Sequence, residues 1–253
     1  MRFSLRKIKS QVSVFVIIAV VIILGIGIFY FLKSDLNKKR IDPVVTPLYN
    51  FVDSCIKKTS EDSVYFIGQT GGYFITPNLS TENNIAYYFY NEENLIPTKE
   101  KIEEELSNYL DNMLFFCTKN FEDFRDFNVT QGKIKSKTKI EKDYVLFDVD
   151  YPLNIEKNGK TYLFEKFETK VPVRLGVIYD VAKQIMEEQM NDKKGICVNC
   201  LSEIAEKNDV FIYMYDYKKN EILFVIADEK SKSRGDEFDF YFVNKYNPEG
   251  INF

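Results

Sequence analysis

The stretch Lys133–Tyr151, KIKSKTKIEKDYVLFDVDY, alternates polar and apolar side chains on both sides of a two-residue loop, Lys142-Asp143. Alternation with a period of two predicts two antiparallel strands, each with one buried and one solvated face. The loop length determines the register. It sets Ile140 opposite Val145, Thr138 opposite Phe147 and Ser136 opposite Val149 on the buried face, and Lys137 opposite Asp148 and Lys135 opposite Asp150 on the solvated face. A one-residue shift would disrupt both sets of pairs, so we interpret the lysine row as solvated sheet surface rather than an anion- or lipid-binding surface.

Two signals extend this hairpin towards the C-terminus. Asn158-Gly159 is typical of a type I′ turn, so a third strand over residues 161–171 should fold back on the second strand. Pro152 cannot donate a ladder hydrogen bond, and we expect a bulge or a strand break there. The hairpin thus becomes a three-stranded meander.

Helices are predicted on both sides of this meander. Thr98 is a good N-cap for a helix over residues 98–118, and Thr46-Pro47 begins another helix over residues 47–58. Downstream, helical spacing of apolar residues covers 174–190, and a shorter helix follows at 197–206. Further short strands are expected at 64–67, 73–76, 85–90, 210–216, 221–227 and 237–244.

These elements predict an α+β fold in which helices pack on one face of antiparallel β meanders. A helix followed by three strands recurs three times along the chain. The three units share no visible residue-level similarity, so a duplication is a hypothesis that rests on the order of elements alone.

A run without charged residues, VSVFVIIAVVIILGIGIFYFL, occupies Val12–Leu32 and is apolar or glycine apart from Ser13. Its 21 residues have the length of a helix that crosses the hydrocarbon core of a bilayer. We therefore predict a basic cytoplasmic leader (1–10), a transmembrane helix (11–32), a linker (33–43) and an extracytoplasmic α+β domain (44–253). The leader contains four cations and no acid, which favours a cytoplasmic N-terminus and a domain outside the cytoplasm.

The residues around the start of the run, Lys9-Ser10-Gln11-Val12-Ser13, resemble the class III signal peptide of archaeal type IV pilin-like proteins. That family has a basic leader, a small residue, and a glutamine that opens a hydrophobic helix retained after cleavage. The resemblance covers about residues 1–32 and implies cleavage between Ser10 and Gln11. The chain has Ser10 where glycine is usual and Phe15 where the family has an early glutamate. The alternative is an uncleaved signal anchor.

Four cysteines suggest the oxidising environment of an exported domain. Cys55 and Cys117 each lie on the apolar stripe of a predicted helix, and we expect a disulfide between them, with two unlinked buried thiols as the alternative. Cys197 and Cys200 form a single CxxC, which we interpret as a local disulfide or half of a linked pair. Thiol–disulfide catalysis and a four-thiolate zinc site remain as alternatives for these residues.

Composition excludes several classes of function. The net charge is −4, which does not indicate a nucleic-acid binder. The chain has no histidine, so catalytic triads with histidine and His-ligated metal sites are excluded, and neither a P-loop nor a GxGxxG motif occurs. We predict no cofactor, no metal site and no catalytic residue. Asn78-Leu79-Ser80 and Asn128-Val129-Thr130 are glycosylation sequons in expected loops, as is usual in an exported protein.

Three functions are compatible with this organisation. The first is a non-catalytic cell-surface protein of structural, pilin-like or adhesive type, whose partners are the lipid bilayer and other membrane or surface proteins. The second is an extracytoplasmic ligand-binding or sensor module. The third is a thiol oxidoreductase that uses Cys197 and Cys200.

Overall fold

The computed structural model describes residues 18–24, 41–235 and 237–247. The chain divides into two compact units, Met1–Thr46 and Pro47–Phe253. In the first unit, residues 18–24 are helical (α1), and their large apolar side chains are between 49% and 68% exposed. No helix within the described ranges is both long and apolar enough to cross a membrane. Except for α1, the predicted span 11–32 lies outside the described residues, as do the leader 1–10 and most of the linker.

Helix α2 (Thr46–Gln69) begins next to Pro47 as predicted, but it continues well past residue 58. The strand expected at 64–67 is therefore wrong. Val64 and Ile67 are buried at helical spacing together with Ser60 and Ser63, and the Ser63 hydroxyl donates to the Ser60 carbonyl at 2.6 Å. Because serines fill the middle of this stripe, its helical period is hidden in the sequence.

The strand expected at 73–76 is also wrong. The Glu105 carboxylate accepts the backbone N–H groups of Phe74 (2.9 Å) and Ile75 (3.1 Å), so a side chain of the next helix satisfies this loop. The strand expected at 85–90 exists as β1 (Tyr87–Tyr90), and it forms a small hairpin with β2 (Glu93–Asn94).

A five-stranded sheet has the order β2-β1-β9-β8-β7. β7 (Phe211–Lys218), β8 (Glu221–Asp228) and β9 (Phe238–Lys245) form the predicted meander. β1 joins β9 in parallel, so this sheet is mixed, and the separate first meander that the sequence predicts does not exist. The three-fold repeat of a helix and three strands is not present in that form, since α2 is followed by β1 and β2 alone.

The second sheet is antiparallel and consists of β3 (Asn128–Gln131), β4 (Lys135–Ile140), β5 (Val145–Lys157) and β6 (Lys160–Val171). The register of β4 and β5 is the predicted one at all five positions derived from the sequence. β6 pairs with β5 after a turn in which Asn158 and Gly159 have positive φ (53° and 74°), and the register shifts beside Pro152.

The remaining helices are α3 (Lys99–Thr118), α4 (Leu175–Asn191) and α5 (Val198–Asn208), with a 3₁₀ helix (Lys119–Phe124) directly after α3. Thr98 caps α3 by accepting the Lys101 N–H, as predicted. α3 packs on β4, where the Ser107 and Thr138 hydroxyls lie 2.8 Å apart. α4 packs on the five-stranded sheet, where the Gln189 side chain accepts from the Tyr246 hydroxyl at 2.5 Å.

Helix α2 contacts both sheets. Near its start, the Tyr49 ring stacks on Phe167 of β6 at 5.4 Å between centroids. Near its end, the Tyr65 ring meets Phe238 of β9 edge-on at 5.3 Å. The two sheets therefore share one helix, and the fold is α+β with two sheets, five α-helices and one 3₁₀ helix in the described part of the chain.

Candidate functional site

The predicted disulfide between Cys55 and Cys117 joins α2 to α3. The Sγ atoms are 2.08 Å apart and the Cα atoms are 5.6 Å apart, within the usual range for a disulfide. Cys55 is 2% exposed. Cys117 is half-buried. This bond is a structural link between two helices.

Cys197 and Cys200 form the second disulfide, which lies at the surface. Cys197 is exposed and is the N-cap of α5, where its Sγ accepts the backbone N–H of Cys200 at 3.3 Å. The motif follows a loop after α4 and does not follow a strand. Gln189 supports that loop, since its side-chain amide donates to the carbonyls of Asp192 (2.8 Å) and Gly195 (3.1 Å).

Behind this disulfide lies a cavity of about 10 Å³, which has room for one water molecule at most. It is lined by α4, α5 and Phe224 of β8. A small-molecule substrate therefore does not fit beside the sulfurs, and only their exposed side is open to a reacting group.

The two sequons are exposed, but they differ in structure. Asn78 lies in a loop, as expected. Asn128 begins β3, so its predicted loop position is wrong, and its side-chain amide donates to Glu156 at 3.1 Å. The possible processing site, Ser10 and Gln11, lies outside the described residues.

A surface that the sequence analysis did not identify lies on the five-stranded sheet, on the side opposite α4. The strand register places one set of side chains on this side, which we call the aromatic face: Phe211, Tyr213 and Tyr215 of β7, Leu223, Val225 and Ala227 of β8, Asp239, Tyr241 and Val243 of β9, and Tyr87 of β1. The other side, with Phe224 and Phe242, packs against the helices.

Three rings on β7 form an exposed ladder along the aromatic face. Phe211, Tyr213 and Tyr215 are 47%, 43% and 53% exposed. Neighbouring ring centroids are 6.3 and 6.4 Å apart, and the rings of Phe211 and Tyr213 are within 12° of parallel. Val225, opposite Tyr213 on β8, and Val243 on β9 lie on the same face and are buried, so the ladder borders an apolar surface.

Ionisable groups lie at one end of the aromatic face. The buried Glu221 carboxylate pairs with the Lys245 ammonium at 2.9 Å, and that ammonium lies 5.5 Å from the centre of the Tyr90 ring. Burial, with a contribution from the nearby Glu221 charge, raises the pKa of Tyr87 to about 12. The Tyr87 phenol is therefore neutral at physiological pH.

The opposite end of the face carries one acid. Burial, with a smaller contribution from Glu237, raises the pKa of Asp239 above its usual range. The Tyr241 hydroxyl points towards this carboxylate, at 3.4 Å from Oδ2. The middle of the face is thus aromatic and uncharged, and the charged groups are confined to its ends.

The sequence could not show this face, because Phe211, Tyr213 and Tyr215 alternate with Ile212 and Met214, which are also apolar. Alternation identifies the strand but does not show which side is buried when both sides are apolar. The order of the strands determines which side is exposed, because β7 is an edge strand and α4 packs on only one side of its sheet.

No group of three or more cysteine, aspartate or glutamate side chains in the described residues is arranged to hold a metal ion. Comparisons of the chain with protein families, with curated proteins and with solved structures find no match. The roles of the residues above therefore rest on geometry and chemistry alone.

Proposed function

We propose that the chain is a membrane-anchored cell-surface protein of structural or binding type, which acts by contact and not by catalysis. The observation that carries this proposal is the exposed ring ladder of Phe211, Tyr213 and Tyr215. Aromatic residues are enriched in protein interfaces because they bury a large area with little loss of side-chain freedom. A row of three such rings on a rigid sheet is a preformed contact surface.

The anchoring part of the proposal is supported by the apolar run Val12–Leu32 and by the exposed apolar side chains of α1. Two disulfides are typical of domains that fold outside the cytosol, so they favour an outward-facing domain. The pilin-like form of the proposal predicts that the mature chain begins at Gln11, and a simple signal anchor predicts an intact Met1. N-terminal sequencing of the protein from its native membrane separates the two.

Position-specific photocrosslinking tests the contact surface. A benzophenone side chain placed at Tyr215 in native membranes should give discrete protein adducts. The same group at Leu163, which is 58% exposed on β6 of the other sheet, should give none. Absence of adducts from Tyr215, or equal adducts from both positions, would refute the aromatic face as the binding surface.

A second candidate is a thiol oxidoreductase, and the position of Cys197 favours it. An exposed sulfur at a helix N-terminus is placed where a thiolate is stabilised. In the reduced protein, the Cys197 thiolate would attack one sulfur of a substrate disulfide. The substrate S–S bond would break, its other sulfur would leave as a thiolate, and a mixed disulfide with Cys197 would form. Cys200 would then displace the substrate as a thiol and close the Cys197–Cys200 bond. An added dithiol would reduce this bond again.

Insulin reduction with dithiothreitol as the final reductant measures that activity. The detergent-solubilised chain should be compared with its Cys197→Ser/Cys200→Ser variant. Turnover that depends on the two cysteines supports the oxidoreductase. Equal background rates for both proteins would rule it out.

A further inference from the structure

β7 is the long edge strand of the five-stranded sheet, and no described strand lies on its outer side. An edge strand presents backbone N–H and C=O groups that can pair with another strand. Proteins usually protect such edges with charged side chains, short strands or bulges. The edge strands of this protein can therefore be compared for these three kinds of protection.

The other sheet edges carry this protection. β2, at the opposite edge of the same sheet, has only two residues, Glu93 and Asn94. β3, which pairs with β5 alone in the second sheet, has no charge but is only four residues long. The edges of the second sheet carry exposed charged side chains: Lys135, Lys137 and Lys139 on β4, and Lys160, Glu165, Lys166, Glu168 and Lys170 on β6. Charge thus discourages pairing along both long edges of that sheet.

β7 lacks such protection over most of its length. The five residues from Phe211 to Tyr215 contain no charge, and the register with β8 is regular along them. A charge first occurs at Asp216, and the register shifts between Asp216 and Lys218. The unprotected segment coincides with the exposed ring ladder.

We propose that β7 pairs with β7 of a second copy of this chain, antiparallel and related by a two-fold axis at Met214. The proposal rests on the contact function proposed above and identifies the partner. The two five-stranded sheets would join into one sheet of ten strands. The two aromatic faces would then form one continuous surface.

The register follows from the faces and the charges. Two residues that face each other across the axis must both have odd numbers or both have even numbers. An odd shift would place the ring-bearing positions of one copy on the side of the sheet where the helices of the other copy pack. A two-fold axis at Met214 sets Tyr213 opposite Tyr215 of the second copy, and aromatic cross-strand pairs stabilise sheets. It also brings the exposed Asp209, which forms an ion pair with Lys230 of its own chain, near Lys219 of the second copy, so that the two lysines would share one carboxylate. A parallel arrangement would bring like charges together at both ends.

This charge distribution is the reason for a second copy rather than an unrelated partner. Asp209 lies before β7 and Lys219 lies just after it, so these two charges face each other only in an antiparallel pair. Lys218 at the end of β7 already pairs with Glu82 of its own chain, at 2.9 Å, and is not part of this argument. Such self-complementarity is the property of a two-fold interface, in which the same patch occurs on both subunits.

Sedimentation of the full chain in density-matched detergent micelles tests the pairing. We expect a dimer for the wild type, and Tyr213→Lys should raise the dissociation constant roughly 30-fold or more, as expected for the loss of a central aromatic contact. The matched control is Leu163→Lys, which places the same charge at an exposed apolar position of β6 and should leave the dimer intact. Tyr213→Lys/Tyr215→Glu should restore dimerisation, because each new lysine then faces a glutamate of the second copy.

A monomeric wild type, a Tyr213→Lys variant that stays dimeric, or a Leu163→Lys variant that dissociates would each overturn the proposal. If a variant fails to fold, amide hydrogen exchange of the wild type tests the β7 pairing instead. The outward amides of β7 should exchange on the order of tenfold more slowly in the dimer than after dilution, and the amides of β6 should not change. Adducts from Tyr215 to other proteins, together with a monomeric chain, would refute this pairing and leave the contact function standing.

Discussion

At the scale of single residues, two carboxylates, one buried and one half-buried, differ in how fully their oxygens are hydrogen-bonded. Asp228 is fully buried and completely bonded, since Arg174 contacts both its oxygens (2.7 and 3.0 Å) and the Ser231 hydroxyl donates at 2.5 Å. The same guanidinium donates to the Asp209 carbonyl at 3.0 Å, so this cluster ties α4, β8 and the start of β7 together. Asp111 on α3 is the contrary case, because its Oδ1 atom is buried without a hydrogen-bond partner.

Asp111→Asn should stabilise the protein at neutral pH. Burial raises the pKa of Asp111, and hydrogen bonding from Ser136 only partly opposes this. A carboxyl with a raised pKa in the folded state binds its proton more tightly there than in the unfolded chain. Wild-type stability therefore falls as the pH rises from the unfolded pKa of about 4 through the folded pKa.

The neutral variant should gain on the order of 1 kcal/mol in the free energy of unfolding at pH 7, because the amide does not carry the charge that the half-buried carboxylate loses water to bury. The gain in stability over wild type should disappear below about pH 4, where residue 111 is neutral in the variant and in the wild type. Urea titrations at several pH values measure the difference. Asp123→Asn, at an exposed site on the 3₁₀ helix, is the matched control and should show no gain. A variant less stable than wild type at pH 7 would contradict the prediction.

At the scale of elements, the sequence predicts what local signals determine. The β4–β5 register follows from a two-residue loop and alternation, and Asn158-Gly159 determines the next turn through positive φ. The end of α2 could not be predicted, because Val64 and Ile67 favour a strand locally whereas their burial at helical spacing depends on distant neighbours. The aromatic face depends on strand order, which no local pattern contains.

The Cys55–Cys117 disulfide should stabilise the domain more than the Cys197–Cys200 disulfide. The first closes a loop with a sequence separation of 62, and the second closes one with a separation of 3. Chain entropy alone then predicts contributions of about 4 and about 2 kcal/mol. Denaturation of Cys55→Ala/Cys117→Ala and Cys197→Ala/Cys200→Ala, each against wild type, compares them directly. An equal loss in both variants would show that loop length does not determine the difference.

Gly176→Ala should weaken the contact between the first turn of α4 and the β4–β5 loop. A Cβ atom at Gly176 would lie 2.5 Å from the Glu141 carbonyl oxygen, so the backbone would have to move. Overpacking of this kind costs about 1–3 kcal/mol, which exceeds the gain of up to about 1 kcal/mol from alanine in a helix. Thermal or urea unfolding measures the balance.

Gly159→Ala is the comparison for Gly176→Ala, because nothing lies within 4 Å of the added atom and only the φ of +74° opposes it. We expect a smaller loss there, about 1 kcal/mol. A stabilised Gly176→Ala variant would show that the β4–β5 loop moves aside without cost.

At the scale of the whole molecule, the disulfides and the apolar run favour the same proposed topology. All four cysteines are joined in pairs, a state that the reducing cytosol does not favour. The apolar run Val12–Leu32 lies between the basic leader and the domain that holds these bonds. The proposed anchor in the membrane, with an oxidised domain outside the cytoplasm, would account for both features.

Protease added to intact cells should therefore remove the domain from residue 41 onwards. Cleavage is expected first in exposed surface loops such as the one around Asn78, because ordered strands and helices resist proteolysis. An antibody against the domain should lose its signal at a protease concentration that leaves a cytoplasmic marker protein intact. The same treatment of lysed cells controls for the intrinsic resistance of the fold. If the domain is protected in intact cells and digested after lysis, it faces the cytoplasm, and the surface function proposed here is wrong.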